Sequence, residues 1–84
     1  MSPEIVVSAA AATLTTGAFV PQAMHIIRHK ETRAISLAMY VAFAAGVALW
    51  LVFGCAIHNW PMIVSNAITL ALALAIITMK LKYR

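Results

Sequence analysis

Three long stretches of the chain contain no Lys, Arg, Asp or Glu: residues 5–27, 34–57 and 61–79. A membrane-spanning helix needs about 20 mostly apolar residues to cross a hydrocarbon core of about 30 Å. Each stretch is therefore long and apolar enough to cross a bilayer. The pattern predicts an all-α membrane protein, with residues 1–84 forming a single unit of three transmembrane helices joined by short loops.

The composition excludes the main soluble alternatives. The chain is 64% hydrophobic and 10% charged, whereas a soluble domain is about 45–50% apolar and about 25% charged. So few charges cannot cover a water-facing surface, and a disordered chain would show the opposite balance. Cys55 is the single cysteine, and no Cys/His spacing resembles a zinc site. We therefore predict neither a metal nor a cofactor.

The basic residues predict the orientation. Lys and Arg fall only in the first loop and in the carboxyl-terminal tail, and the amino end carries Glu4. Because basic residues are retained in the cytoplasm, we expect a multi-pass protein of the inner cell membrane with its amino terminus outside and its carboxyl terminus inside. An acidic amino end is atypical of a removable signal peptide. The basic clusters flank membrane spans, so no nucleic-acid partner is expected.

Helix 1 contains a proline within its predicted span. Pro21 has no N–H, so the carbonyl of Gly17 loses its usual partner and the proline ring crowds that turn. The sequence therefore predicts a hinge at Pro21, with a static bend as the alternative. Thr13, Thr16 and Gly17 fall on one face of the same helix.

Helix 2 carries a stripe of mostly bulky residues at helical spacing. The stripe consists of Met39, Phe43, Gly46, Trp50, Phe53 and Ile57. Gly46 beside Trp50 leaves a recess, with Met39 towards one end of the span and Phe53 and Ile57 towards the other. The stripe predicts a pocket between two gates, and ordinary packing of an apolar helix is the alternative.

Helix 3 places Ser65, Asn66 and Thr69 on one face. Counted from the outer ends of their spans, Asn66 is about 7.5 Å deep and Trp50 about 10 Å deep, so the two can meet. An amide offers both donors and acceptors to sugar hydroxyls, and an indole suits the apolar face of a sugar ring. The alternative is that Asn66 forms a hydrogen bond to a neighbouring helix, which is the other use of an intramembrane amide.

A single copy cannot enclose a polar path through lipid, so any such path must lie between copies. Ala67, Ala71 and Ala75 form a row of small residues that allows another helix to approach closely. The simplest closed arrangement is a symmetric homodimer.

Pro21-Gln22 near the cytoplasmic end of helix 1, the basic loop after it, Trp50 and Asn66 together resemble the PQ-loop superfamily and, within it, the bacterial SemiSWEET sugar transporters. The resemblance covers the whole chain. Transporters of this class are built from parallel repeats, so the resemblance implies a half-transporter unit that works as a parallel homodimer. Many relatives carry charges near the outer gate, whereas this chain has Ile57, His58 and Asn59.

The resemblance also assigns roles to residues. Trp50 and Asn66 would bind the sugar, and Pro21 would be the hinge, supported by Gln22. The expected inner gate is Phe19 with Met39, and the expected outer gate is Phe53 with Ile57. The remaining residues expected to line the pocket are Thr13, Thr16, Gly17, Gly46, Ser65 and Thr69.

The function expected from these features is a facilitative carrier of mono- or disaccharides, a uniporter that works by alternating access. A PQ-loop amino-acid carrier and a non-transporting membrane assembly subunit are the alternatives. An enzyme is not expected, because the chain has no paired carboxylates and no nucleophile with a base in register, and its histidines are scattered. Transport is expected to be passive, because the spans contain no carboxylate that could carry a proton.

Overall fold

The computed structural model describes residues 2–32 and 36–82, and over these residues the chain forms three helices: α1 (Pro3–His29), α2 (Leu37–Ala56) and α3 (Trp60–Lys82). All three are long and apolar enough to cross a membrane. The fold is that of an all-α membrane protein. The start of the predicted second span, at residues 34–35, lies outside the described residues.

Polar caps extend or trim the helices relative to the uncharged stretches. Ser2 caps α1 by accepting a hydrogen bond from the backbone N–H of Ile5, and Ser36 caps α2 in the same way. Lys30 ends α1 in the left-handed conformation. The uncharged stretch ends at the charged residues Glu4 and Arg28, whereas the helix continues to its caps. α1 therefore runs two residues beyond the predicted window at each end.

The helix that comes last in the sequence lies in the middle of the fold. α3 packs against both α1 and α2, while α1 and α2, as far as the structure describes them, do not pack their backbones against each other. The molecule is a slab of 45 × 21 × 14 Å. Its small buried core consists of Ala23, Ala44, Val47, Ala73 and Ile76. The arrangement leaves a groove between α1 and α2, with α3 as its floor.

α1 and α3 are joined by polar contacts along half of their length. The Ser8 hydroxyl donates to the side-chain carbonyl of Asn59, at 3.1 Å. The hydroxyls of Thr16 and Ser65 are hydrogen-bonded to each other. These bonds fix the register of α1 on α3 between the Asn59 end of the molecule and Thr16, and we call the opposite end, where Arg28 lies, the basic end.

α2 and α3 approach closely at a glycine. A Cβ atom built on Gly54 would lie 3.1 Å from Cγ and 3.2 Å from Sδ of Met62. Real Cβ atoms rarely tolerate such contacts, so the close approach depends on the absence of a side chain at position 54.

At the basic end, α3 holds the loop that connects α1 to α2. The Lys80 ammonium donates a hydrogen bond of 2.7 Å to the backbone carbonyl of Thr32, and Thr32 is buried. Lys80, one of the basic residues that predict the orientation, therefore also holds this loop in place.

Candidate functional site

The groove contains two cavities. One, of about 810 Å³, lies towards the Asn59 end and is called here the Asn59-side cavity. Its lining residues are Pro3, Glu4, Val7, Ser8, Ala11, Ala12, Thr15, Trp50, Asn59, Met62, Ser65 and Asn66. Its volume is within the range of sites that hold small organic ligands, which is roughly 300–1,000 Å³.

The second cavity, of about 450 Å³, lies towards the basic end and is called the basic-side cavity. It is lined by Thr15, Ala18, Phe19, Gln22, Phe43, Val47, Ser65, Asn66 and Thr69. Thr15, Ser65 and Asn66 belong to both linings. These three residues therefore mark the junction at which the two cavities meet along one groove.

The structure brings Trp50 and Asn66 to the same cavity, from α2 and α3. Trp50 is half exposed, and its ring meets that of Phe53 edge-on with centroids 5.8 Å apart. Asn66 donates through Nδ2 to the Met62 backbone carbonyl at 2.8 Å. Because an amide has two N–H groups and a carbonyl oxygen, Asn66 keeps one donor and its Oδ1 acceptor for a ligand.

Two further residues of the predicted lining, Ser65 and Thr69, also lie in the groove. Gly46 lies instead in a shallow recess beside the groove, with Leu49, Trp50 and Phe53. Gly17 is exposed, and a Cβ atom at that position would meet nothing within 4 Å.

Thr13 and Thr16 lie on the other side of the contact between α1 and α3, where they line a small cavity with Pro61 and Val64. Thr13 and Thr16 therefore lie outside the groove, contrary to the expectation that they line the pocket. Side chains two residues apart point in nearly opposite directions on a helix, so the face that holds Thr13 cannot also face the groove.

Thr15 is a groove residue that the sequence analysis does not predict. Its signal is the spacing of seven residues between Thr15 and Gln22, which places both on the face that also carries Ala11 and Ala18.

The four predicted gate residues all have exposed or half-buried apolar side chains. Phe19 of α1 and Phe43 of α2 line the basic-side cavity together. Met39, Phe53 and Ile57 are 60%, 48% and 49% exposed, on the side of α2 that does not pack against α3. Gln22 lines the basic-side cavity and also borders, with Pro21, a recess on the surface of α1.

The groove is nearly free of ionisable groups. Among the described residues that line its two cavities, Glu4 is the only ionisable side chain, and it lies at the Asn59 end. No group of three His, Cys, Asp or Glu side chains within the described residues could hold a metal ion. Hydroxyls, the amides of Gln22, Asn59 and Asn66, and one indole suit a neutral ligand with several hydroxyl groups.

Comparisons with known proteins give the same class. Residues 6–84 match the family described as a sugar efflux transporter for intercellular exchange. The sugar transporter SemiSWEET of Bradyrhizobium diazoefficiens is 45% identical over 74 residues, which cover 88% of this chain and 86% of the relative. The SemiSWEET of Leptospira biflexa is 42% identical over 71 residues, which cover 84% of each protein.

A solved structure agrees in fold. The crystal structure of a SemiSWEET in the inward-open conformation is 32% identical and superposes with a TM-score of 0.86, covering 95% of this chain and 93% of that one. The chain therefore belongs to the MtN3/SWEET family of sugar transporters, as a membrane protein of the SemiSWEET kind and not an enzyme.

Proposed function

We propose that this chain is a uniporter that carries mono- or disaccharides across the inner cell membrane by alternating access, with its sugar site at Trp50 and Asn66. The observation that carries the proposal is the meeting of the indole and the amide in one nearly uncharged cavity. The indole provides an apolar surface for the sugar ring, and the free amide groups of Asn66 exchange hydrogen bonds with its hydroxyls.

The working unit in this proposal is a parallel homodimer with both amino termini outside. Large apolar side chains cover the side of α2 that α3 leaves free, and Met39, Trp50 and Phe53 are exposed members of this set. A groove in a slab 14 Å thin is open along its side. A second copy placed groove to groove encloses the path, and a two-fold axis along the membrane normal keeps both copies in the same orientation.

Pro21 is the proposed hinge for alternating access, and Gln22 supports it. Pro21 lies inside α1, and the polar contacts described above between α1 and α3 reach only as far as Thr16. The segment after Pro21 can therefore bend without breaking those bonds, and the hydrogen bond from Lys80 to the Thr32 carbonyl must move with it or break. Phe19 and Met39 would close the basic end, and Phe53 and Ile57 would close the Asn59 end.

Transport in this proposal is passive. A proton-coupled carrier places an ionisable group where it can bind and release a proton within the membrane, and the described lining offers only Glu4, in the first turn of α1. We expect an imposed proton gradient to drive no sugar accumulation in liposomes. Accumulation that follows the gradient would contradict passive transport.

The deciding experiment is counterflow into liposomes with a panel of sugars and amino acids. We expect exchange of sugars and none of amino acids, because the described residues of the groove offer no pair of charges for a zwitterion. Uptake of amino acids alone would favour the amino-acid carrier, and exchange of neither class would favour a non-transporting subunit.

Two variants test the site itself. Asn66→Ala removes the amide and Trp50→Ala removes the apolar surface, and a lost polar partner for a buried hydroxyl costs roughly 1–3 kcal/mol. We expect both variants to lose measurable sugar binding while they still insert and assemble. Exchange at the wild-type rate by both variants would place the sugar elsewhere.

A further inference from the structure

We infer that Thr15 is a specificity-determining residue, which accepts a hydrogen bond from one hydroxyl of the transported sugar. The inference rests on the proposed function, and it adds a residue of α1 to a site otherwise made by α2 and α3. Thr15 lines both cavities of the groove and is exposed, and it shares the junction with Asn66. A ligand that moves along the groove from one cavity to the other must pass this side chain.

The hydrogen bonds of Thr15 define which partner it can take. Its Oγ1 donates to the backbone carbonyl of Ala11 at 3.0 Å, with a second, longer contact to that of Ala12 at 3.3 Å. A hydroxyl has one donor and two acceptor lone pairs, so the donor is occupied within the helix while the acceptor side is left for a ligand. Thr15 therefore selects a ligand group that donates, such as a sugar hydroxyl.

Ser65, the neighbouring polar residue at the junction, uses its hydroxyl for contacts with α1. The Ser65 hydroxyl contacts both the Thr16 hydroxyl and the Ala12 carbonyl, so it serves the packing of α1 against α3. Asn66 retains one donor and one acceptor. Thr15 thus adds a second fixed acceptor to the junction, on the opposite wall from Trp50, and two acceptors at fixed positions can distinguish sugars that differ at a single hydroxyl.

The chain offers a matched control. Thr13, two residues away on α1, donates in the same way to the Ala9 carbonyl, at 2.7 Å, but faces away from the groove. Thr15→Val and Thr13→Val remove the same hydroxyl from the same helix with little change of shape. Thr15→Ser keeps the hydroxyl and removes only the methyl group.

The test measures binding and counterflow for the wild type and these variants, with the best-transported sugar and each of its monodeoxy analogues. We expect Thr15→Val to weaken binding of the parent sugar by about five- to tenfold, which is the effect of one lost hydrogen bond. The analogue that lacks the contacting hydroxyl should bind equally well to the wild type and to Thr15→Val. Thr15→Ser and Thr13→Val should keep the wild-type ranking of the analogues.

A wild-type ranking in Thr15→Val would overturn the inference and leave the proposed function standing. An equal change of ranking in Thr13→Val would also overturn it, because the effect would then come from the helix and not from the groove. If Thr15→Val does not assemble, the pair Thr15→Ala and Thr15→Ser gives the same comparison, since the two differ by one hydroxyl. A wild-type protein that carries no sugar would overturn the proposed function itself, and this inference with it.

Discussion

The rings of Phe19 on α1 and Phe43 on α2 meet with centroids 5.6 Å apart and planes inclined by 45°. They bridge two helices whose described backbones do not pack against each other. The bridge lies in the basic half of the groove, beside the basic-side cavity. The pair of Trp50 and Phe53 lies within α2 alone and does not bridge the Asn59-side cavity.

The first prediction follows from this bridge. An aromatic pair contributes about 0.5–1.5 kcal/mol beyond its buried area, so Phe43→Ala should raise the population open at the basic end by about two- to tenfold. The measurement is the labelling rate of Thr69→Cys by an impermeant thiol reagent applied to the basic end, in a Cys55→Ser background. Phe53→Ala is the control and should not speed labelling. Equal rates with and without Phe43 would show that the pair does not close the groove.

The second prediction separates a moving hinge at Pro21 from a fixed bend. Pro21→Ala supplies an N–H that can bond to the Gly17 carbonyl and stiffens α1 in its interior. The proposed sugar site lies mostly on α2 and α3, so we expect the affinity to be retained while uptake falls. Pro61→Ala is the matched control, because Pro61 lies in the first turn of α3, where a proline removes no helical hydrogen bond. Undiminished uptake by Pro21→Ala would mean that the gates move by another route.

The third prediction concerns the contact between α2 and α3. A Cβ atom at position 54 would press on the Met62 side chain at 3.1–3.3 Å, and overpacking typically costs about 1–3 kcal/mol. We expect Gly54→Ala to lower the unfolding midpoint in detergent, and Met62→Ala in the same chain to recover part of the loss. Gly46→Ala on the same helix meets nothing within 4 Å and should not destabilise. An unchanged midpoint for Gly54→Ala would contradict the prediction and show that the Met62 side chain yields to the added methyl group.

The fourth prediction concerns Asn59, which is buried and has two partners. Its Oδ1 accepts from the Met62 backbone N–H at 3.2 Å and from the Ser8 hydroxyl, so it caps α3 and clasps α1 at once. Loss of a helix cap costs about 0.5–2 kcal/mol, and Asn59→Ala loses the clasp as well. Ser8→Ala should therefore destabilise less than Asn59→Ala, and Asn59→Asp, which keeps the acceptor, should destabilise least. Thermal unfolding in detergent measures all three, and equal midpoints for Ser8→Ala and Asn59→Ala would contradict a capping role.

Much of the fold could be predicted because lipid restricts a chain to few choices. The uncharged stretches predict three apolar helices, and the structure has them. The rise per residue was enough to place Trp50 and Asn66 at one depth, and both line one cavity. The depth of a residue follows from its position along its own helix, so it can be counted from a single sequence.

The sequence could not reveal which sides of the helices face each other. Periodicity gives the faces of α1 but not which of them meets the groove, so it does not distinguish the face of Thr13 from that of Thr15. Asn59 showed only as a polar residue in a loop, because its contact with Ser8 joins positions far apart in the chain. Contacts of this kind depend on the order of the helices, which no local pattern encodes.

The central place of α3 has a consequence for biosynthesis. α1 and α2 leave the ribosome first, but over the described residues they do not pack their backbones against each other. Domains fold as their segments emerge during synthesis, and membrane helices insert before they associate. The first two helices must therefore wait side by side in the bilayer until the final third of the chain has been translated and inserted. Assembly of this protomer is accordingly a late event, and a ribosome that stalls before α3 leaves two spans without the helix against which both pack.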